Sequence, residues 1–103
     1  MVIAKSKNNV PVRLTLERWA HIIARHPEMD SQKERVIETL TEPEIIQQGD
    51  FGELAAIRYY EETPLTSKFL VVIYKEIEDA DGFIITAYYA STPSERRKVL
   101  WKQ

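Results

Sequence analysis

The sequence of 103 residues contains no cysteine and no long apolar run. Without cysteine the chain cannot form a disulfide framework, a zinc ribbon or a thiol nucleophile. Its apolar runs are much shorter than the about 20 residues that a membrane-spanning helix needs. Residues 1–4 are too few for the apolar core of a signal peptide. We therefore expect a cytoplasmic protein that has no membrane partner.

Length and composition predict one folded unit. Hydrophobic residues make up 44% of the chain and charged residues 29%, which is typical of globular rather than disordered proteins. A chain of this length is too short to supply two independent cores. We expect an N-terminal arm at residues 1–13 and a single domain over residues 14–103.

The net charge of −2 conceals an uneven distribution along the chain. Residues 1–27 carry a net charge of +4 and residues 95–103 a net charge of +3, whereas residues 28–63 carry −7. If the two basic ends meet in the fold, one face of the protein attracts anions. If they stay apart, the distribution describes an ordinary solvated surface.

Two helices are predicted in the first half of the chain. Thr15 is a suitable N-cap for a helix over residues 16–25, which contain apolar residues at helical spacing. A second helix is predicted to begin at Ser31, because Glu34 follows at the spacing of a capping box. It should end before Pro43.

The second half of the chain predicts a meander of strands over residues 53–60, 68–75 and 83–90, preceded by a short strand around Ile45. The turns between the three strands are short, so successive strands should pair antiparallel. The strand over residues 68–75 has no polar face and should therefore be central. The predicted fold class is α+β, with two N-terminal helices packed on a three- to four-stranded antiparallel meander sheet.

Residues 94–103 combine a basic cluster with helix-compatible residues, and they predict a short C-terminal helix. Its apolar residues include Trp101, which we expect to dock on the domain. The alternative is a frayed terminus.

Both histidines lie in the first predicted helix or at its end. On a helical wheel Arg18, His21 and Arg25 form one polar stripe, while His26 falls on the apolar side at the helix terminus. Imidazole can move the proton of a 2′-hydroxyl or protonate a leaving 5′-oxygen. Arginine can hold the scissile phosphate and stabilise its developing charge. The pattern therefore indicates RNA cleavage, with His21 and His26 as acid–base groups and Arg18 and Arg25 as substrate-binding residues.

Simpler interpretations of the two histidines stay open. His21 is equally compatible with a solvated surface position, and His26 with a structural role at the helix C-terminus. Their spacing of five residues does not align two metal ligands on a helix, and no acidic residue accompanies them at ligand spacing. We therefore expect neither a metal site nor a cofactor.

The strands supply a second polar set. Arg58 and Tyr60 share one face of the first strand, and Thr86 and Tyr88 share one face of the third. A threonine inside an apolar strand needs a hydrogen-bond partner or a cleft, although tyrosine and threonine also favour strands for their own sake. We interpret Arg58, Thr86 and Tyr88 as candidate catalytic residues and Tyr60 as a substrate-binding residue, in one cleft with a histidine.

The order of these features resembles the small bacterial and phage nuclease-like domains of the barnase–EndoU–colicin–RelE group, known as the BECR fold. The resemblance covers residues 14–101, and the matching stretches are His21-x-x-x-Arg25-His26-Pro27, Thr41-Glu42-Pro43, Arg58-Tyr59-Tyr60, the apolar strand that ends in Lys75, and Ile85-Thr86-Ala87-Tyr88. The resemblance implies two helices followed by a four-stranded antiparallel sheet, and metal-independent RNA cleavage, often by a toxin.

The resemblance also implies roles for individual residues. His21 or His26 would match the helical histidine, Arg58 the basic residue of the strand, and Thr86 with Tyr88 the polar pair of the last strand. Lys75 would then join the substrate-binding residues. RNA and a cognate antitoxin or immunity protein are the partners that follow.

Two main hypotheses result from the sequence. The first is a toxin-like endoribonuclease that cleaves RNA by 2′-hydroxyl attack without a metal. The second is a catalytically silent RNA- or protein-binding module of the same fold, because a fold does not establish an activity. A small-molecule enzyme or a structural protein is the remaining interpretation.

Overall fold

The fold is known from a computed structural model that describes all 103 residues. Its elements, in chain order, are β1 (Val2–Lys5), β2 (Pro11–Leu14), α1 (Leu16–Arg25), a single 3₁₀ turn (Pro27–Met29), α2 (Lys33–Thr41), β3 (Ile45–Gln48), β4 (Leu54–Tyr59), β5 (Phe69–Glu78), β6 (Asp81–Ala90) and β7 (Val99–Lys102). None of the helices has the length and apolar character needed to cross a bilayer.

The seven strands form one mixed sheet in the order β1-β2-β6-β5-β4-β3-β7. Strand β2 pairs with β6 in parallel, with Val12 opposite Gly82 and Arg13 opposite Phe83, and all other neighbours are antiparallel. The α+β class is right, but the predicted sheet of three to four antiparallel strands behind two N-terminal helices is wrong. The helices follow two strands, and the sheet has seven members.

The additional strands at the start of the chain form a hairpin. Residues 1–13, predicted as an arm, contain β1 and most of β2. Asn9 turns the chain with a φ of +67°, which asparagine tolerates better than most residues. The buried Ser6 hydroxyl accepts a hydrogen bond from the Val10 N–H and donates one to the Glu76 carboxylate, so the hairpin is tied to β5.

The C-terminal segment is a strand, and the prediction of a helix there is wrong. Strand β7 pairs with β3, and Trp101 lies opposite Ile46. The prediction that Trp101 docks on the domain is confirmed. Although the first hairpin and β7 are at opposite ends of the sheet order, the Lys7 Nζ lies 4.5 Å from the centre of the Trp101 ring. The sheet therefore curls until the turn of its first hairpin approaches β7.

The predicted helices are observed with one shift. Helix α1 has the predicted bounds and N-cap, because the Arg18 N–H donates to the Thr15 hydroxyl at 3.0 Å. Helix α2 begins at Lys33 rather than at Ser31, whose φ of +70° is not helical. The capping box is therefore not formed, and the N-cap Gln32 makes no side-chain capping bond.

Both helices pack on one face of the sheet, where the main core lies. Its buried side chains come from both helices, the 3₁₀ turn and the central strands, and they include Ile22, Met29, Val36, Leu40, Leu70, Val72, Tyr74 and Ile84. Strand β5 lies between β4 and β6, which confirms that the apolar strand is central. The opposite face carries a smaller cluster of Ala55, Ile57 and Val71.

That opposite face is crossed by residues 91–98, which we call the crossing loop. The loop leads from β6 to β7, and it therefore passes over β5 and β4 to reach the far side of β3. The Gln47 Nε2 donates to the Ser94 carbonyl at 2.7 Å, and the Gln48 N–H donates to the Lys98 carbonyl at 2.8 Å. The loop is thus fixed to β3 at two points.

A glycine permits the close approach of β2, β5 and β6. A Cβ at Gly82 would lie 2.7 Å from the Lys75 carbonyl oxygen and 3.3 Å from a Val12 methyl group. We expect Gly82→Ala to lower the free energy of unfolding by about 1–3 kcal/mol, because the backbones cannot separate without breaking the sheet. Urea denaturation of both proteins measures this. An unchanged transition midpoint would contradict the close packing.

Candidate functional site

A groove of about 400 Å³ lies between α1 and β6. It contains both histidines of the chain, two arginines and two polar side chains above an apolar floor, and its lining residues are Arg18, His21, Ile22, Arg25, His26, Ile85, Thr86 and Tyr88. Six of these eight residues were predicted as site residues from the sequence. We call this the α1–β6 groove.

The topology of the sheet creates the groove. Strand β2 accompanies β6 only as far as Phe83, and the chain then enters α1. The remainder of β6 has no strand on that side, and α1 lies along it instead. The ladder between β5 and β6 is interrupted where Ile73 pairs with Thr86 and Tyr74 pairs with Ile84, which leaves Ile85 as the extra residue of a bulge. Bulges commonly redirect side chains next to binding sites.

The bulge decides where Thr86 and Tyr88 point. Ile84 belongs to the core under the helices, whereas Thr86 and Tyr88 lie opposite Ile73 and Val71 on the other face of the sheet. The Tyr88 ring reaches the groove at the edge of β6, where its centre is 5.6 Å from that of the His26 ring. The two rings are tilted by 33°, a common arrangement for aromatic neighbours.

His26 is held by the end of α1. It is the C-cap residue, its N–H donates to the Ile22 carbonyl at 2.8 Å, and its side chain is partly buried. The Nδ1 atom lies 3.8 Å from a carboxylate oxygen of Glu28. That distance is too long for a hydrogen bond but suits an ion pair when the imidazole is protonated.

His21 and the two arginines form the exposed wall of the groove. Arg18 precedes His21 by three residues and Arg25 follows it by four, so both lie beside it on one helical face. Neither guanidinium takes part in any of the salt bridges or side-chain hydrogen bonds of the structure. Two guanidiniums without partners, beside two imidazoles, can bind an anion and exchange protons with it.

Arg58 and Tyr60 lie elsewhere, on the face covered by the helices. The Arg58 Nη1 donates to the Glu42 carbonyl at 2.7 Å, and its Nε lies 3.7 Å from a Glu38 carboxylate oxygen. The Tyr60 hydroxyl donates to Glu38 at 2.6 Å, and burial together with this hydrogen bond raises the pKa of Tyr60 to about 12. The structure therefore does not bring Arg58 and Tyr60 into one cleft with the histidines, because both are used to join α2 to β4.

Lys75 also lies outside the α1–β6 groove. It is opposite Phe83 in the ladder, and its ammonium group approaches the turn at Gly52. Its positive charge, with that of Arg97, helps to lower the pKa of Glu53, although the main cause is the hydrogen bond from the Phe51 N–H.

Two features of the site were not found from the sequence. Ile85 reaches the groove through a bulge, which has no signature in this strand. Glu28 lies two residues after His26, and its charge at that spacing is the signal that could have indicated the pair.

No three histidine, aspartate or glutamate side chains converge in a way that could hold a metal ion. Comparison of the chain with protein-family models, with curated proteins and with solved structures found no match. The resemblance to the BECR group therefore stays a prediction.

The raised pKa of the Tyr60 hydroxyl leads to a prediction about how stability depends on pH. The folded pKa of about 12 exceeds the ordinary value of 10.0, so the stability that Tyr60 contributes is complete below pH 10.0 and is lost as the pH rises through 12. Tyr60→Phe should lower the stability at neutral pH by about 0.5–1.5 kcal/mol, because hydrogen bonds to Glu38 and Thr39 are lost.

The same substitution should also reduce the loss of stability in that alkaline range, as measured by urea denaturation at a series of pH values. Part of the alkaline loss will remain, because burial raises the pKa of Tyr74 as well. An alkaline profile identical to that of the wild type would show that Tyr60 titrates normally.

Proposed function

We propose that the protein is a metal-independent endoribonuclease that cleaves RNA by 2′-hydroxyl attack in the α1–β6 groove. The observation that carries this proposal is the presence of two imidazoles and two unpaired guanidiniums around one groove. Cleavage without a metal needs a base, an acid and a cation within reach of one phosphate. The groove is the one place in the chain where both histidines and two arginines line the same cavity.

The reaction assigns a role to each group. One neutral imidazole takes the proton of the 2′-hydroxyl, and the oxygen attacks the phosphorus. The bond to the 5′-oxygen then breaks, and the second imidazole, initially protonated, gives its proton to that oxygen. The products are a 2′,3′-cyclic phosphate and a 5′-hydroxyl, and Arg18 or Arg25 stabilises the extra negative charge of the intermediate.

His26 suits the position of the protonated imidazole, because the Glu28 carboxylate faces its Nδ1 atom. The Tyr88 ring packs beside this imidazole, with the ring centres 5.6 Å apart. His21 would then act as the base. Thr86 supplies a hydroxyl on the sheet side of the groove that can donate to a phosphate or sugar oxygen. Toxin-like action and a cognate antitoxin or immunity protein remain part of the proposal that rests on the resemblance alone.

A binding module without cleavage is the second candidate, and one observation favours it. The His21 ring has neither a hydrogen bond nor an ion pair, whereas a general base is commonly oriented by a third group. In that case the groove would hold RNA through its arginines without reaction.

The two candidates are distinguished by incubating the purified protein with total RNA in EDTA. We expect cleavage that leaves 2′,3′-cyclic phosphate ends. His21→Ala and His26→Ala should each reduce the rate by about 10²–10⁴-fold, because each removes one acid–base group. Binding of RNA by both variants, measured by fluorescence anisotropy, should stay within a small factor of the wild type. Binding without cleavage by the wild-type protein would establish the second candidate instead.

The role of the arginines has its own test. Arg18→Gln/Arg25→Gln should reduce cleavage by about 10²-fold or more, because the developing charge loses its cations. The matched control is Lys33→Gln/Lys68→Gln, which removes the same charge outside the groove and should leave the rate within about twofold of the wild type. Equal losses in the two variants would mean that the groove is not the site of reaction.

A further inference from the structure

A second cavity, of about 290 Å³, lies between the crossing loop and the turn at residues 48–50. No hydrophobic residue lines it, and its members are Gln48, Gly49, Asp50, Ser94, Arg96, Arg97 and Lys98. Three cations therefore face one carboxylate. Arg97 lies 3.7 Å from Asp50, whereas the side chains of Arg96 and Lys98 form no salt bridge. We call this cavity the loop pocket.

The backbone of the loop pocket is fixed before any ligand binds. The Ser94 hydroxyl accepts hydrogen bonds from the N–H groups of Arg96 and Arg97, both at 3.3 Å. The Ser94 carbonyl is held by Gln47, which is buried, and the Lys98 carbonyl by Gln48. The three cationic side chains thus project from a loop that is tied to the sheet, which reduces the entropy cost of binding.

A third cavity, of about 160 Å³, lies between the loop pocket and the α1–β6 groove. It shares Tyr88 with the groove and shares Ser94 and Arg97 with the loop pocket. Its floor is the face of the sheet under the crossing loop, and it is mainly apolar: Ala55, Ile57 and Val71 are buried there, and Ile73 and Ala90 are partly exposed. The three cavities therefore lie next to one another along the sheet, from β6 to β3, and together we call them the track.

The track has cations at both ends. Its middle cavity is apolar and is bordered by Tyr88. Three strand spacings of about 4.8 Å separate β6 from β3, so the two strands below the ends of the track are on the order of 14 Å apart. Phosphates suit the ends, and base faces suit the partly exposed Ile73, Tyr88 and Ala90 of the middle cavity, as in other single-strand binding surfaces. A duplex does not suit it, because the bases of a duplex stay stacked and cannot enter the middle cavity.

We propose that this track binds single-stranded RNA, and that the loop pocket is a second phosphate site several nucleotides from the bond that is cleaved. The proposal rests on the proposed function, since it extends the substrate of the α1–β6 groove. An acidic polypeptide is the other ligand that the cations of the track could bind, and polyglutamate represents it in the experiment.

The experiment measures the binding of 2′-O-methyl RNA, which cannot be cleaved because its 2′-hydroxyl is blocked. A dinucleotide and an oligomer of about eight nucleotides, both labelled for fluorescence anisotropy, are compared on three proteins. These are the wild type, the loop variant Arg96→Gln/Arg97→Gln and the control variant Lys33→Gln/Lys68→Gln. The control removes the same charge from residues that line none of the three cavities.

We expect the loop variant to bind the longer oligomer about tenfold more weakly and the dinucleotide as the wild type does. For the longer oligomer, the slope of log K against log [salt] should fall by about 0.7 for each phosphate contact that is lost. The control variant should stay within about twofold of the wild type for both oligomers. A duplex of the same sequence should compete poorly.

Equal binding of both lengths by the wild type, or equal losses in the loop and control variants, would overturn the proposal. So would tighter binding of polyglutamate than of RNA, which would indicate an acidic protein as the occupant. If the wild type binds with the expected dependence on length but does not cleave unmodified RNA, the track stands and the cleavage proposal fails. If the wild type cleaves RNA but the loop variant binds both oligomers as the wild type does, the cleavage proposal stands and the track proposal fails.

Discussion

Two residues of β2 pair in parallel with β6, and the arrangement of the other elements depends on that short contact. The pair is reinforced at its end by the bidentate Arg13–Asp81 ion pair, with N–O distances of 3.0 and 2.9 Å. Gly82 allows the strands to approach because it has no Cβ. Since the pairing stops at Phe83, the free edge of β6 is left for α1, and the α1–β6 groove exists only for that reason.

The elements predicted well from the sequence are those specified by local patterns. Helix α1 has an N-cap at Thr15 and an apolar stripe, and both are evident from the sequence of residues 15–25 alone. Strand β5 is apolar on both faces, which is enough to place it in the centre of a sheet. Strands β1 and β7 are short and partly exposed, and they become strands only by pairing with distant residues. Residues 99–102 have no local preference that outweighs the open edge of β3.

The helical half of the candidate site was predicted, and so were Thr86 and Tyr88 of its strand half, but Arg58 and Tyr60 were misplaced. The stripe of Arg18, His21 and Arg25 follows directly from helical periodicity. In a regular strand, Ile84, Thr86 and Tyr88 would share one face, and that face carries Arg58 on β4. The bulge at Ile85 reverses the orientation, so Thr86 and Tyr88 are turned away from Arg58. Alternation along a strand identifies which residues share a face, but it does not reveal an extra residue.

The long separation between β2 and β6 has a consequence for how the protein folds. Arg13 and Asp81 are 68 residues apart in the sequence, so the parallel pair closes a long loop and should form late. Helix α1 has ten residues, which is too short for a stable helix in isolation. Its polar stripe is therefore ordered only once β6 is in place beside it. A chain whose synthesis has not reached β6 already contains Arg18, His21 and Arg25, but these side chains are not yet held in the arrangement of the groove. The site therefore forms together with the tertiary structure.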